Sequence, residues 1–227
     1  MELSENRLYA VITGDIVASS RLSGEEHESL HGVMEDVYSV LAGAFPETVG
    51  PSIDIFRGDS WQMLVLEPVL ALRCGLFYRA LLRAKMQTHQ FNTRMAVGVG
   101  HVFSVPEEHI SRGSGEAYER SGQALDVMHG SETLRVVLPK GVEAEAISTV
   151  VCLLDERSSL WTDKQALAVT GGLRGWTQKE TAEKLWPGGI SQSGVSQHLD
   201  RAGWHAVKQG IEFVEEEMKA VLKSDRA

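Results

Sequence analysis

Along the first 140 residues the apolar positions switch between a two-residue and a three-to-four-residue period, and each switch marks a new element. Leu8 to Thr13 is a short apolar run rich in β-formers that ends at Gly14-Asp15, which reads as a buried strand opening into a loop. From Glu25 to Leu41 the residues Leu30, Val33, Met34, Val37, Val40 and Leu41 recur at helical spacing, giving an amphipathic helix that ends near Gly43. Ser52 to Phe56 and Trp61 to Leu66 read as strands, separated by the hairpin signal Arg57-Gly58-Asp59-Ser60. Pro68 opens a second helix that runs to about Gln87. Arg94 to Val102 is a strand containing glycines, which calls for a close approach of another backbone or a ligand. A loop to Gly113, a helix from Gly115 to His129 and a strand from Leu134 to Leu138 complete the order βαββαβαβ.

That order predicts an α+β fold, a ferredoxin-like antiparallel or mixed sheet with helices on one face and one extra unit. Residues 140–157 read as a connecting helix with Ile147, Val150, Val151 and Leu154 on one side. Asp163 to Val169 is a supporting helix, and Trp176 to Leu199 then reads as two short helices meeting at a turn. Thr177 and Glu180 have capping-box spacing at the first of these, and Ser191 is a good N-cap for the second. Ala182 is small where the pair would cross, Leu185 closes the first helix, and Ile190, Val195 and Leu199 face inward. Gln192, Ser193, Ser196, Gln197 and Arg201 remain outward, side chains of the kind that read base edges in a major groove, with Thr177 and Gln178 beside them. The expected division is a sheet domain over 1–140, a connecting helix over 141–157 and an all-α domain over 158–227.

Composition narrows this picture. At 227 residues, 43% hydrophobic and 23% charged, the chain has the makings of an ordinary globular core. The apolar run Val69 to Ala84 is broken by Arg73, Arg79 and Arg83, which makes it a buried or amphipathic helix and not a membrane span. Met1 to Arg7 lacks a cationic start followed by an apolar stretch, so the expected location is cytoplasmic, with no membrane partner. Cys74 and Cys152 have no CxxC spacing and read as small buried hydrophobes. The net charge of −9 argues against non-specific nucleic-acid binding by the whole chain, yet residues 158–227 carry nine basic and nine acidic groups, so the acid excess lies elsewhere. Within 158–211 the basic groups are Lys164, Arg174, Lys179, Lys184, Arg201 and Lys208, enough for a few phosphate contacts. Glu215 to Glu217 reads as a solvated helix face.

Two aspartates stand out as candidate chemistry. Asp15 ends the first strand and Asp59 sits on the hairpin, each preceded by a glycine, and in a ferredoxin-like sheet these two strands are neighbours. Hard oxygen ligands so placed suit Mg²⁺ or Mn²⁺ with a nucleotide supplying phosphate oxygens. Equally, an Asp after Gly commonly bonds its own turn. His27-Glu28-Ser29-Leu30-His31 matches HExxH, the zinc-binding helix pattern, but follows Glu25-Glu26, lacks the HxxGxxH continuation and has only Glu47 nearby as a third ligand.

Asp15-Ile16 after an apolar strand, Gly58-Asp59 on a hairpin, the strand Arg94 to Gly100 and Gly115 before a helix occur in the order found in class III nucleotide cyclases, which this part of the chain resembles. With the C-terminal helix pair the layout is similar to the SatD family of bacterial proteins, whose hairpin carries Gly-Asp-Glu-Phe-Gln where this chain has Gly58-Asp59-Ser60-Trp61-Gln62. The helix pair itself resembles the helix-turn-helix of bacterial regulators and of sigma-factor region 4, with Trp186, Pro187, Gly188 and Gly189 where those turn on a single glycine. The cyclase resemblance implies metal binding by Asp15 and Asp59, and a nucleotide beside them would meet Gly14, Ile16, Gly58 and Arg57; Arg57, Arg112 and Arg120 either supply phosphate contacts from nearby loops or are surface charges. It departs at Ile55, where cyclases carry a base-recognising Lys, and at Glu119 and Gln123, where they carry an Asn and an Arg. Two functions follow. One is a DNA-binding regulatory protein, a homodimer, with a nucleotide- or metal-sensing N-terminal domain. The other is a Mg- or Mn-dependent enzyme acting on nucleoside triphosphates, with the C-terminal helices as scaffold.

Overall fold

The computed structural model of the chain describes residues 3–4, 7–86, 91–106, 109–140, 142 and 144–224. The expected end of the second helix at Gln87, and most of the Met1 to Arg7 stretch, lie outside the described residues. The chain builds β1 (Tyr9–Ile16), α1 (Gly24–Ala44), β2 (Val49–Phe56), β3 (Ser60–Val65), α2 (Ala71–Met86), β4 (Thr93–Gly100), α3 (Glu116–Asp126) and β5 (Leu134–Val137). Five more helices follow: α4 (Glu145–Ser159), α5 (Asp163–Leu173), α6 (Gln178–Leu185), α7 (Gln192–Ala202) and α8 (Trp204–Ser224). The order βαββαβαβ is as read from the sequence. The strands form a single mixed sheet in the order β2-β3-β1-β4-β5, antiparallel except that β5 runs parallel to β4.

The helices occupy both faces of the sheet, against the expectation of one. On the first face Ala10, Ile12, Ile16, Met63, Val65, Met95 and Val97 are buried under α1 and α2. On the second, Tyr9, Val11 and Leu64 pack against Ala117 and Tyr118 of α3. The glycines of β4 are the reason. A side chain at Gly98 would place its Cβ 2.4 Å from the Ala117 carbonyl oxygen and 2.5 Å from the Ser121 amide nitrogen, so only glycine lets α3 lie this close. The close approach anticipated from the strand glycines is therefore that of a helix backbone.

β1 also runs further than expected. Gly14, Asp15 and Ile16 stay in the ladder, with Asp15 opposite Ser60 on one side and Arg94 on the other. Gly14 leaves room for the Trp61 ring, whose Cζ2 lies 2.4 Å from where its Cβ would be. Trp61 is fully buried and donates through Nε1 to Thr93 Oγ1 at 3.0 Å.

One apolar cluster continues from the sheet through α2 into α4, α5, α7 and α8. α2 lies at its centre and is buried almost all round, so its three arginines must find partners inside. Arg73 donates from Nε to Glu215 Oε1 at 2.6 Å and from Nη2 to Oε2 at 3.0 Å, which takes Glu215 out of the solvated face assigned to it. Arg83 donates to the Ser159 carbonyl at 2.8 Å. Arg79 is only 1% exposed and donates to Asp155 Oδ1 and Ser158 Oγ, each at 3.0 Å, and to the carbonyls of Thr93 and Thr133. Asp155 in turn accepts from the Thr133 and Leu134 amides at 2.6 and 2.9 Å. Burial pulls the Arg79 guanidinium pKa down and Asp155 acts in the opposite direction. Of the cysteines, Cys74 is buried as expected but Cys152, on α4, is exposed. No helix among the described residues is long and apolar enough to cross a membrane.

Asp155→Ala leaves Arg79 buried and uncompensated, and should cost about 3–5 kcal/mol in urea denaturation. The double variant Arg79→Met with Asp155→Leu removes the stranded charge and should recover part of that loss, the Thr133 and Leu134 amides staying unpaired; equal destabilisation by both would show that the uncompensated charge is not the source of the cost.

Candidate functional site

α6 and α7 present the polar side chains singled out in the sequence on one surface. Thr177 caps α6 as expected: its Oγ1 accepts from the Glu180 amide at 3.2 Å while its own amide donates to Glu180 Oε2 at 2.8 Å. Ser191 caps α7 by accepting from the Gly194 amide at 3.1 Å. Val195, Leu199 and Ala202 are buried on the inner side of α7, and Ala182 is buried on α6. Gln178, Gln192, Ser193, Ser196 and Gln197 line one shallow depression at the start of α7. Gln178 Nε2 donates to Ser196 Oγ at 3.3 Å, tying the two helices at that surface. Arg201 is exposed one turn beyond Gln197 on the same helix. Thr177 lies beside the group, with its hydroxyl committed to the cap.

The four-residue turn has a structural explanation. Trp186 stacks on His198 of α7, ring centroids 6.1 Å apart and planes 8° from parallel, while Ile190 packs against the core. Gly189 takes a positive φ of 80° between them, a conformation that glycine adopts without strain. The far end of α7 is held from α4: Arg157 donates from Nε to the Ala202 carbonyl at 3.0 Å and from Nη2 to that of Arg201 at 2.7 Å. Trp161 Nε1 adds a second donor to the Ala202 carbonyl at 2.9 Å. These two residues carried no signal in the sequence, since their acceptors are backbone atoms more than 40 positions away.

Most of the basic groups counted around α6 and α7 are engaged locally. Arg174 and Lys184 both lie 4.4 Å from the Trp176 ring centroid, and Arg174 is also 4.9 Å from that of Phe77 on α2. Lys179 pairs with Glu183 at 4.0 Å and Lys208 with Glu212 at 3.7 Å. Lys164 and Arg201 have neither an ion-pair nor a ring partner among the described residues. Both lie close enough to His198 to act on its charge, and burial first, then these two cations, hold its imidazole pKa below the ordinary value.

The two aspartates come together at one end of the sheet. The Ile16 amide donates to the Asp59 carbonyl at 3.2 Å, and Ser19 Oγ donates to Asp59 Oδ2 at 2.6 Å. Asp15, however, meets a guanidinium across the ladder: Arg94 Nε donates to Oδ1 at 2.9 Å and Nη2 to Oδ2. The hydrogen bond to Asp15, and the nearby charges of Asp15 and Asp59, raise the Arg94 pKa above its ordinary value. Both Asp15 oxygens are thus occupied by a cation the chain supplies itself, and the pair fits a divalent ion only if Arg94 lets go. Arg94 entered the sequence reading as the first residue of a strand; its role appears only once the register Asp15 to Arg94 is known.

The remaining expected contacts are placed as follows. Gly14 is covered by Trp61, and the Ile16 side chain is buried on the α1 and α2 face, so neither presents a side-chain surface to a nucleotide. Arg57 and Gly58 are exposed and take positive φ values of 56° and 86° at the hairpin. Arg112 is exposed, whereas Arg120 donates to the Val99 carbonyl at 2.6 Å and to Glu116 Oε2 at 3.1 Å. His27, Glu28, His31 and Glu47 are all exposed, and His31 Nδ1 lies 3.7 Å from Glu35 Oε1. Among the described residues no group of three or more His, Cys, Asp or Glu is placed to hold a metal.

No family model and no curated protein matches the chain. Among solved structures it is similar to the crystal structure of the guanylyl cyclase Cya2, with 16% identity and a TM-score of 0.37 over 60% of this chain and 87% of that one. A likeness that loose carries no argument about chemistry, which rests on the residues above.

Two outcomes are expected. Folded His198 takes up a proton less readily than the unfolded chain, so its contribution to stability is complete above about pH 6.5 and is lost as pH falls through its lowered folded pKa. The urea midpoint should fall from pH 7.5 to pH 5, and His198→Phe, which keeps a ring against Trp186, should flatten that fall; an unchanged slope would remove His198 as its source. Arg94→Ala should raise Mn²⁺ affinity, followed by electron paramagnetic resonance, at least tenfold or about 1.4 kcal/mol, and Asp15→Asn in that background should cancel the gain. Equal Mn²⁺ binding by wild type and Arg94→Ala would show that Arg94 does not screen the aspartates.

Proposed function

We propose that this chain is a DNA-binding regulatory protein in which α6 and α7 form a helix-turn-helix and α7 enters the major groove, joined to a ferredoxin-like, cyclase-like sheet unit. The observation that carries the reading is an exposed depression lined by Gln178, Gln192, Ser193, Ser196 and Gln197, around the N-terminal end of a capped helix whose opposite side is buried. Recognition helices contact base edges with their N-terminal residues. Glutamine amides match the N6 and N7 edge of adenine, and serine hydroxyls serve any base. Lys164 and Arg201 are the groups left to meet phosphates, so the electrostatic share of affinity is small and its salt dependence shallow. A two-fold dimer placing two copies of α7 in successive major grooves completes the reading.

The strand order β2-β3-β1-β4 supports the ferredoxin-like assignment of the sheet unit. The meeting of Asp15 and Asp59 supports a place there for a signal, a nucleotide or a divalent ion, to enter. The bidentate hold of Arg94 on Asp15 favours the regulator over a Mg- or Mn-dependent enzyme acting on nucleoside triphosphates.

Selection from a pool of random duplexes, followed by fluorescence anisotropy at several salt concentrations, tests the reading. Gln192→Ala with Gln197→Ala should weaken binding to the selected sequence by about 1–3 kcal/mol for each glutamine–adenine pair removed, and leave binding to random DNA unaffected. Arg201→Ala should weaken both alike and reduce the salt slope by about one. No salt-dependent binding to any duplex by the wild type would overturn the proposal.

A further inference from the structure

A groove of about 710 Å³ opens between the edge strand β5 and helix α4, away from both sites described above. Its floor is Leu134, Val136 and Leu138 from the strand side and Val151 from α4, all buried side chains. That volume and apolar lining fall within the range of sites that enclose a small organic molecule. The charges around it are unequal. Glu132 is held by Arg135 through two contacts, Nε to Oε1 at 2.6 Å and Nη2 to Oε2 at 2.5 Å. Asp155 is committed to Arg79 and to the Thr133 and Leu134 amides. Glu156 also lines the groove, is exposed, and has no ion pair or hydrogen bond among the described residues. One negative charge beside an apolar floor is left unanswered.

We infer that this groove binds a small organic cation, an amine carried on an apolar body. The body packs against Leu134, Val136 and Val151, side chains that already exclude water from the groove floor. The ammonium group meets Glu156 at the mouth. An anion of the same shape would face Glu156 while Arg135, the cation in the lining, is already held by Glu132, and a neutral analogue would gain only the apolar contact. β5 also has a strand partner on one side only, so an extended peptide or a second copy of the chain are the competing occupants.

Cys152 lines the groove and is exposed, while Cys74 is buried with its thiol pushed up to about 12 by burial, so maleimide labelling reports on Cys152 alone. The probes are 4-phenylbutylamine, 4-phenylbutan-1-ol and 4-phenylbutyrate at equal concentration, with each labelling rate taken relative to the same variant without probe. The amine should slow labelling at least threefold, the alcohol less, and the acid not at all. Glu156→Gln should bring the amine down to the level of the alcohol, and Glu156→Lys should make the acid the best protector. Equal protection by all three probes, an amine preference that survives Glu156→Gln, or no protection would overturn the inference. Labelling that slows with protein concentration in the absence of any probe would overturn it in favour of a second copy.

Discussion

The Arg79–Asp155 pair is the contact around which the rest of the molecule is arranged. A helix buried almost all round, as α2 is, ordinarily carries little charge, and a guanidinium there is tolerated only where it is paired and hydrogen-bonded. Arg79 meets that condition by drawing α4, the start of β5 and the start of β4 to a single point. Replacing such a pair with apolar side chains of similar volume is often no loss in stability, so its value here is geometric. The placement of α4 satisfies Asp155, Ser158 and the Thr133 and Leu134 amides together. Arg73 and Arg83 repeat the device one or two turns away, toward α8 and the end of α4.

What could be read from the sequence depended on how local the cause was. The order of elements followed from apolar periodicity, and the caps at Thr177 and Ser191 from residues three positions apart; both kinds of signal involve near neighbours. The face occupied by α3 was not legible, because a strand glycine announces empty space without saying what fills it. At Gly98 the answer is the backbone of α3, and at Gly14 it is the ring of Trp61, two residues beyond the hairpin Asp59. Glu215 is a similar case: in a run of three glutamates nothing distinguishes the one that faces a buried arginine 142 positions earlier.

The candidate sites divide in the same way. The polar surface of α7 assembles from residues on two consecutive helices, so helical geometry alone placed them together. The meeting of Asp15 with Asp59 was anticipated through strand adjacency, yet Arg94 approaches from the other flank of β1, and the consequence for charge is large: the region that resembles an acidic metal site is an ion pair. His198 and Trp186 show why an insertion in the turn is accommodated. The added length lets a large ring reach back onto α7 and stack on a histidine whose protonation is already disfavoured by burial and two nearby cations.

Asp155 and Arg157 stand two residues apart on α4 and face different partners, the sheet edge and the last carbonyls of α7. Gly203, at the positive φ of 70° that ends α7, has no side chain, and a Cβ there would lie 2.4 Å from Arg157 Nε. The last turn of α4 therefore carries a fitting at each side, Asp155 setting its rotation against the sheet and Arg157 passing that setting to the end of α7. The orientation of the polar surface is in this sense a property of the sheet's edge, measured out at a distance of half a helical turn.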